Sequence, residues 1–495
     1  MCGIVGACGT DGMKAVEEML DAVGHRGPDG RGTCINGRYA LGHTRLAIVD
    51  IAGGAQPMHD DRTNADIAYN GEIYNHRGLR RLLPCHEFRT NSDTETLLAL
   101  EGSGLERAAW LRGIEGMFAF AIASPKGILL ARDPLGIKPL YIGRRGKRLV
   151  FASEIKAIAR AADTIAAFPP GHVYSSGQGA QPYFELAPGP PEVRSPEAAR
   201  RGVLRRLVRS VRASMTADVP VGAFLSGGLD SSLIASIATK LQRGLHTFAV
   251  GVEGSRDLEY ARRMAGFLHT RHHERTFTTE EALRALPEVI YALESFDCAL
   301  VRSAVPSYFL AGLASRFVKV ALSGEGADEL FAGYDYLRPM PPRELGQELA
   351  HITRELHNTN LQRCDRMGMA HGLEVRVPFL DDPELLRFAF SLSTDVKMRG
   401  SRRISKWVLR LAARGLVPRE IACRPKEKFA LGAGIAEHLA RHAESSIGDT
   451  AFEAEREVGD GFVLRSKEEL LYYRIFRRQF PTEKVLPLIG RSRSL

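Results

Sequence analysis

A chain of 495 residues is too long for one hydrophobic core and implies two or three domains. Its 44% hydrophobic and 25% charged residues are those of a globular protein, and no apolar run approaches the roughly 20 residues of a membrane span, which excludes a membrane-embedded role. The 67 basic and 58 acidic residues leave a net charge of +9, spread along the chain without an aromatic-interleaved basic motif; the Arg-rich pieces at 199–212, 402–410 and 477–478 read as solvated helix faces, so small anionic ligands are expected and nucleic acid is not.

The chain opens Met1-Cys2-Gly3-Ile4-Val5-Gly6. If Met1 is removed, a thiol and an α-amine belong to one residue, and the amine, with an ordinary pKa of about 7.7–8.0, is a suitable base for the thiol. Taken alone, Cys2 is better read as an ordinary second residue. Short strands separated by glycine turns follow, clearest at 4–7, 39–48, 66–69, 118–123, 127–132 and 149–153, with helices at 14–22, 76–83 and 93–101. Asp93 is the expected cap of the last helix. Many strands with few helices suggest sheet packed on sheet with helices outside.

Residues 185–196 form a proline-rich linker, after which the texture changes. Helices expected at 197–215, 231–243, 257–269, 280–294 and 306–315 alternate with apolar strands at 219–225, 246–252 and 317–322, the pattern of a parallel α/β sheet. From about 340 the chain reads as mostly helical. Seven scattered cysteines without a Cys-x-x-Cys pair, and no charged-then-apolar leader, point to reduced thiols in the cytosol.

Three constellations carry chemistry. Tyr69-Asn-Gly-Glu-Ile-Tyr-Asn75, with Arg45 upstream and Asp93 downstream, offers an Asn amide beside a Gly N–H, an oxyanion-hole pair, although on local grounds an Asn-Gly hairpin turn is the better reading. Ser226-Gly-Gly-Leu-Asp-Ser-Ser232 lies between an apolar strand and a helix; its glycines and hydroxyls make an anion cradle without the Walker lysine. Ser323-Gly-Glu-Gly-Ala-Asp-Glu329 repeats the strand–loop–helix setting with three acids, implying Mg²⁺ beside phosphates, or else a polar helix start. The cluster His269-Thr-Arg-His272-His273 ends a helix, lacks paired acids, and is set aside as a metal site.

In this order the motifs resemble the glutamine-hydrolysing asparagine synthetases over nearly the whole chain. The resemblance implies an N-terminal Ntn-hydrolase αββα sandwich (1–185), a linker (186–197) and a synthetase domain (198–495), built on a parallel α/β sheet of the adenine-nucleotide α-hydrolase/PP-loop type with a helical end. It implies that Cys2 is the glutaminase nucleophile, that Asn70 and Gly71 form the oxyanion hole, and that Arg45, Glu72 and Asp93 hold glutamine. His25-Arg-Gly-Pro-Asp29, Ala131-Arg-Asp-Pro-Leu-Gly-Ile-Lys-Pro-Leu-Tyr141 and Gly372-Leu-Glu-Val-Arg-Val-Pro-Phe-Leu-Asp381 match further signatures.

ATP is implied at Leu225, Ser226, Gly227, Gly228, Asp230, Ser231, Val250, Ser323, Gly324 and Tyr334, with Mg²⁺ at Asp230 and Asp328. Glu325, Arg302 and Lys426 are implied around ammonia attack and the acyl-adenylate. The implied reaction adenylates aspartate with ATP and amidates it with ammonia from glutamine. Ala299-Leu-Val-Arg-Ser-Ala-Val-Pro306 and Lys426-Glu-Lys-Phe-Ala-Leu-Gly-Ala-Gly434 replace hydroxyls and a carboxylate of the bacterial family pattern, leaving the acceptor open between aspartate and another carboxylic acid. Oligomeric state is open too, a homodimer being one option.

Overall fold

The computed structural model describes every residue except 1, 10, 188, 190, 191, 401, 402, 460, 494 and 495. Met1, and with it the question of its removal, lies outside the described residues, as do three prolines of the linker.

Strand Gly116–Ser124 shows how the N-terminal layers arise. Its side chains alternate, so Phe118, Phe120 and Ile122 pack with helices Asp93–Gly102 and Arg107–Arg112, while Ala119, Ala121 and Ala123 face a second sheet. Small alanines line the space between the sheets; within the first sheet Gly6 leaves room for the Phe151 ring of its partner strand, which a Cβ would meet at 2.1 Å. The first antiparallel sheet runs, in spatial order, 164–167, 141–145, 148–152, 3–8, 39–45 and 30–36, and the second 179–182, 172–175, 127–132, 116–124, 65–73 and 58–60. Helix Gly12–Ala22 covers the outer face of the first sheet through Val16, Met19 and Leu20. The order helix, sheet, sheet, helix is the expected αββα sandwich.

Two expectations shift here. The strand from Tyr39 ends at Arg45 and not at Ile48, because Asp29 takes the Ala47 N–H (2.8 Å) and the Ile48 carbonyl accepts from Asp218 N (3.0 Å) in place of a ladder. Ser92, not Asp93, caps helix 93–102, its hydroxyl accepting the Thr94 N–H.

Past the linker, whose Glu192 and Val193 N–H groups donate to the Ser391 carbonyl, helix Pro196–Ser214 leads into a five-stranded sheet. All its pairings are parallel, in the order 271–276, 246–251, 221–224, 320–322, 374–376. Strands 221–224 and 320–322 are neighbours from which the chain builds outward in opposite directions, so the sheet has its topological switch point between them. Helix Cys298–Ala314 begins two turns before the expected 306: Asp297 caps it, and Pro306 is tolerated inside. Beyond 340, helices 342–354, 360–369, 383–391, 436–446 and 467–479 dominate, as expected.

Candidate functional site

Cys2 is buried at the start of strand 3–8, where antiparallel pairing holds Gly3 opposite Thr44. Its N donates to Asn70 Oδ1 at 3.0 Å, and the Thr44 hydroxyl takes the next N–H at 3.1 Å. Since Oδ1 of Asn70 is engaged with Cys2, the amide Nδ2 is turned away from it. That atom is fully buried and, among the described residues, has no hydrogen-bond partner, the state of a donor awaiting a substrate oxygen. Gly71 follows in the same strand; any Cβ there would lie 2.2 Å from the Met117 carbonyl, so only glycine lets the two strands close around the site. Burial pushes the Cys2 thiol up, against a hydrogen bond from the Leu46 backbone and the charge of Arg45.

Arg45 holds the adjacent loop through the carbonyls of Ile51 (2.8 Å) and Asp50 (2.7 Å). Asp93, in the first turn of its helix, accepts from the Tyr69 hydroxyl (2.8 Å) and Ile73 N (2.9 Å); burial raises its pKa. Burial also raises Glu72 well above the usual carboxylate range. One Glu72 oxygen meets Arg376 from the parallel-sheet half at 3.2 Å, and the other is buried without a partner. Asn70 meets Cys2 directly and Arg45 acts on its thiol, while Glu72 shares the strand of Asn70 and Asp93 is bonded to that strand at Ile73. Together they offer a cation, two acids and an unspent amide donor, a set that can grip an α-amino acid and stabilise an oxyanion.

The second site lies at the switch point, where ligands of open parallel sheets bind. Loops 225–228 and 323–326 leave neighbouring strands, and the second packs on the first turn of the helix that follows the first: a Cβ on Gly324 would be 2.7 Å from Ser231 N. Gly227 takes φ +65° against the Tyr260 backbone, allowing Gly228 to end the turn as the cap of helix Leu229–Leu241. No side chain caps that helix, so its N-terminal N–H groups remain for an anion. The loops open on a cavity of about 460 Å³.

Its walls include Leu225, Ser226, Gly228, Asp230, Ser231, Val250, Ser323, Gly324, Glu325, Asp328, Tyr334 and Lys426, which the sequence had singled out. Gly227 lies just behind the wall. Arg302 is not brought to the cavity: its guanidinium makes a two-point ion pair with Glu468, while Ala299, Ser303 and Ser307 of the same helix line it. In the His269–His273 run, His269 ends helix Arg256–Leu268 in the left-handed region and residues 271–273 begin the edge strand, with His273 stacked on Phe317 at 3.9 Å.

The cavity's electrostatics come largely from residues that sequence reasoning missed. Lys406 bridges Asp230 (2.5 Å) and Asp328 (2.6 Å), and Lys426 reaches the other Asp328 oxygen at 2.7 Å. The two ammonium groups hold Asp328 down at about 2. Arg363 pairs with Glu325 at 2.6 Å, and Arg424 joins Asp257 (2.7 Å) to the Ser226 carbonyl (3.2 Å). Lys406 stands in Arg403-Ile-Ser-Lys406-Trp407, which carries no motif, and no local signal marks it.

The remaining Asp230 oxygen is buried and unpartnered. Among the described residues no group of three or more His, Cys, Asp or Glu forms a metal cage. The donor set therefore fits a cation that draws its other ligands from phosphates, as Mg²⁺ does.

Comparison with known proteins finds two families along the chain. Residues 1–174 match the glutamine amidotransferase domain family, and residues 202–348 and 342–485 the asparagine synthase family. Asparagine synthetase [glutamine-hydrolyzing] 3 of Arabidopsis thaliana is 38% identical over 97% of this chain and 88% of its own. The Sandersonia aurantiaca enzyme of the same name is 36% identical over 97% of both chains. A probable asparagine synthetase [glutamine-hydrolyzing] of Schizosaccharomyces pombe is 38% identical over 93% of this chain and 89% of its own. The chain therefore belongs to the glutamine-hydrolysing asparagine synthetase family.

Proposed function

We propose that this protein makes asparagine from aspartate, glutamine and ATP, with residues 1–185 as the glutaminase domain, 186–197 as the linker and 198–495 as the synthetase domain. The observation that carries the reading is the unpartnered Asn70 amide beside Cys2, in a chain that also holds an uncapped helix over a phosphate cradle.

In the first half-reaction the Cys2 thiolate attacks the glutamine side-chain amide carbon. Asn70 Nδ2 and the Gly71 N–H receive the oxyanion, ammonia leaves, and water hydrolyses the thioester. Burial keeps the thiol protonated until its own α-amine takes the proton, so the step requires Met1 to be removed. Arg45 meets the α-carboxylate of glutamine, and Asp93 with Glu72 meets its α-amine.

In the second half-reaction an aspartate β-carboxylate oxygen attacks the α-phosphorus of ATP and pyrophosphate leaves. A carboxylate is a poor electrophile, and adenylation gives it a leaving group. Ser226, Gly227, Gly228, Ser231, Ser323 and Gly324 cradle the phosphates, Val250 and Leu225 flank the adenosine, and Tyr334 closes the wall. Lys406 and Lys426 supply positive charge for the departing pyrophosphate. Asp230 and Asp328 would hold Mg²⁺, which supplies Lewis-acid charge at the phosphate oxygens when bound. Ammonia released at Cys2 crosses inside the protein and displaces AMP with help from Glu325. Arg302, tied to Glu468, acts in this reading by fixing the helix that presents Ser303 and Ser307 to the acceptor.

The test is an assay of purified protein with ATP, Mg²⁺, aspartate and either glutamine or ammonium. Wild type forms asparagine and pyrophosphate with both donors; Cys2→Ala forms them with ammonium only. Equal loss with both donors would refute the two-site reading. Pyrophosphate release that another carboxylic acid supports and aspartate does not would move the acceptor to that acid.

A further inference from the structure

Helix Asn360–Met369 touches both sites. Asn360 donates to Glu329 and to the Tyr334 hydroxyl at 3.2 Å each, and Arg363 pairs with Glu325 at 2.6 Å, all on the synthetase cavity. Two residues on, Asp365 reaches the opposite half of the molecule. Its carboxylate takes Nη1 of Arg26 at 2.8 Å and Nη2 at 3.2 Å. Glu154 takes Nη1 as well, at 2.6 Å, and the remaining donor, Nε, reaches the carbonyl oxygen of Cys2 at 3.0 Å. Arg26 is fully buried.

A guanidinium is a rigid plane, so a two-point carboxylate grip on one edge sets the direction of the third donor. The peptide carrying the nucleophile is then held from both ends, by Asn70 at its nitrogen and by Arg26 at its carbonyl.

The surrounding charges agree. At this buried junction the N-terminal half supplies Arg26, Lys138 and Lys156 with Glu154, and the synthetase half supplies Asp365 and Glu294 with Arg366. Removing one partner of a buried pair leaves the other charge uncompensated. Arg26, which holds the Cys2 carbonyl, thus takes one of its two acids from the other half.

We propose that Asp365 is a positioning residue for the Cys2 reaction: through Arg26 it locks the peptide bearing the nucleophile, so that the glutaminase site is complete only with the synthetase domain docked. This rests on the reading of Cys2 as the glutamine nucleophile.

The experiment compares full-length wild type with Asp365→Asn, Arg26→Gln and the double variant. Each is assayed for glutamine hydrolysis and for ammonium-dependent pyrophosphate release. Asp365→Asn is expected to lower kcat for glutamine about tenfold, with KM for glutamine and the ammonium reaction within about twofold of wild type. The double variant is expected to be no slower than Arg26→Gln alone, because both changes remove one linkage. An unchanged kcat for glutamine, a parallel loss of the ammonium reaction, or additive effects in the double variant would each overturn the positioning role. Wild type that fails to hydrolyse glutamine would instead overturn the reading of Cys2 itself.

Discussion

The two sites satisfy their polar groups in opposite ways. At the Cys2 nitrogen and its neighbour the contacts are hydrogen bonds to short side chains on nearby strands, with ion-paired Arg26 reaching in only at the carbonyl, and one donor, the Asn70 amide, is left over. Around the nucleotide cavity the contacts are ion pairs between long side chains, Asp230–Lys406–Asp328–Lys426 and Glu325–Arg363. The substrates explain the difference. An amide carbonyl develops a single negative charge in the transition state, which a rigid pair of N–H donors can meet without rearranging. ATP brings several charges, so its site must carry charge of its own, and when empty that charge is tolerable only if paired internally.

The largest test breaks the pairing in the second site. Lys406→Met leaves Asp230 and Asp328 facing each other without the ammonium between them and takes a positive charge from the departing pyrophosphate, a loss of about 4 kcal/mol of transition-state stabilisation, or roughly a thousandfold in rate. Ammonium-dependent pyrophosphate release is expected to fall by about that factor, while glutamine hydrolysis stays within about twofold. A comparable fall in glutamine hydrolysis would show that the two charge systems are not separate. The mirror experiment removes the leftover donor in the first site. Asn70→Ala is expected to lower kcat for glutamine about a hundredfold and to leave the ammonium reaction intact; a loss below tenfold would place the oxyanion elsewhere.

The same contrast decides what could be read from the sequence. The glycine loops are local devices: glycines and hydroxyls lie between an apolar strand and a helix, so 226–232 and 323–329 were legible as loops that end neighbouring strands, and the structure brings both to one cavity. The setting of Cys2 was legible once Asn70, Gly71 and Arg45 were seen together. Ion pairs are not local. Lys406 and Asp230 are 176 residues apart, and Arg26 and Asp365 are 339 apart, and nothing near either partner announces the other. Arg302 shows the converse, since its expected place at the acyl-adenylate is taken by a pairing with the distant Glu468.

Fold elements failed for related reasons. Strand Arg271–Thr276 is polar on both faces because it forms a sheet edge, and Glu374–Arg376 is three residues long with two buried charges paired to each other. Pro306 read as a helix start, whereas Asp297 caps the helix and carries it through the proline.

The smallest expected effects sharpen the comparison at two helix N-termini. Helix 93–102 is capped by the Ser92 hydroxyl, which accepts the Thr94 N–H and leaves Asp93 free to turn inward to Tyr69 and Ile73. Helix 229–241 has Gly228 as its cap and no side chain on its first N–H groups. One terminus is closed for structure and the other is open for a ligand. Ser92→Ala should therefore lower stability by about 1 kcal/mol, read as a fall in the denaturant midpoint, with little effect on KM for ATP.

Gly228→Ser should do the reverse. Its backbone is extended at φ −79°, and a Cβ meets only Ser226 Oγ at 3.4 Å, an ordinary contact, so serine fits without strain. The new hydroxyl would occupy the N–H groups that ATP phosphates need. The expected result is a gain of a few tenths of a kcal/mol in stability together with a KM for ATP raised about tenfold. An unchanged KM for ATP would mean that the phosphates are held by the loops and lysines alone, and that the open helix end contributes nothing to binding.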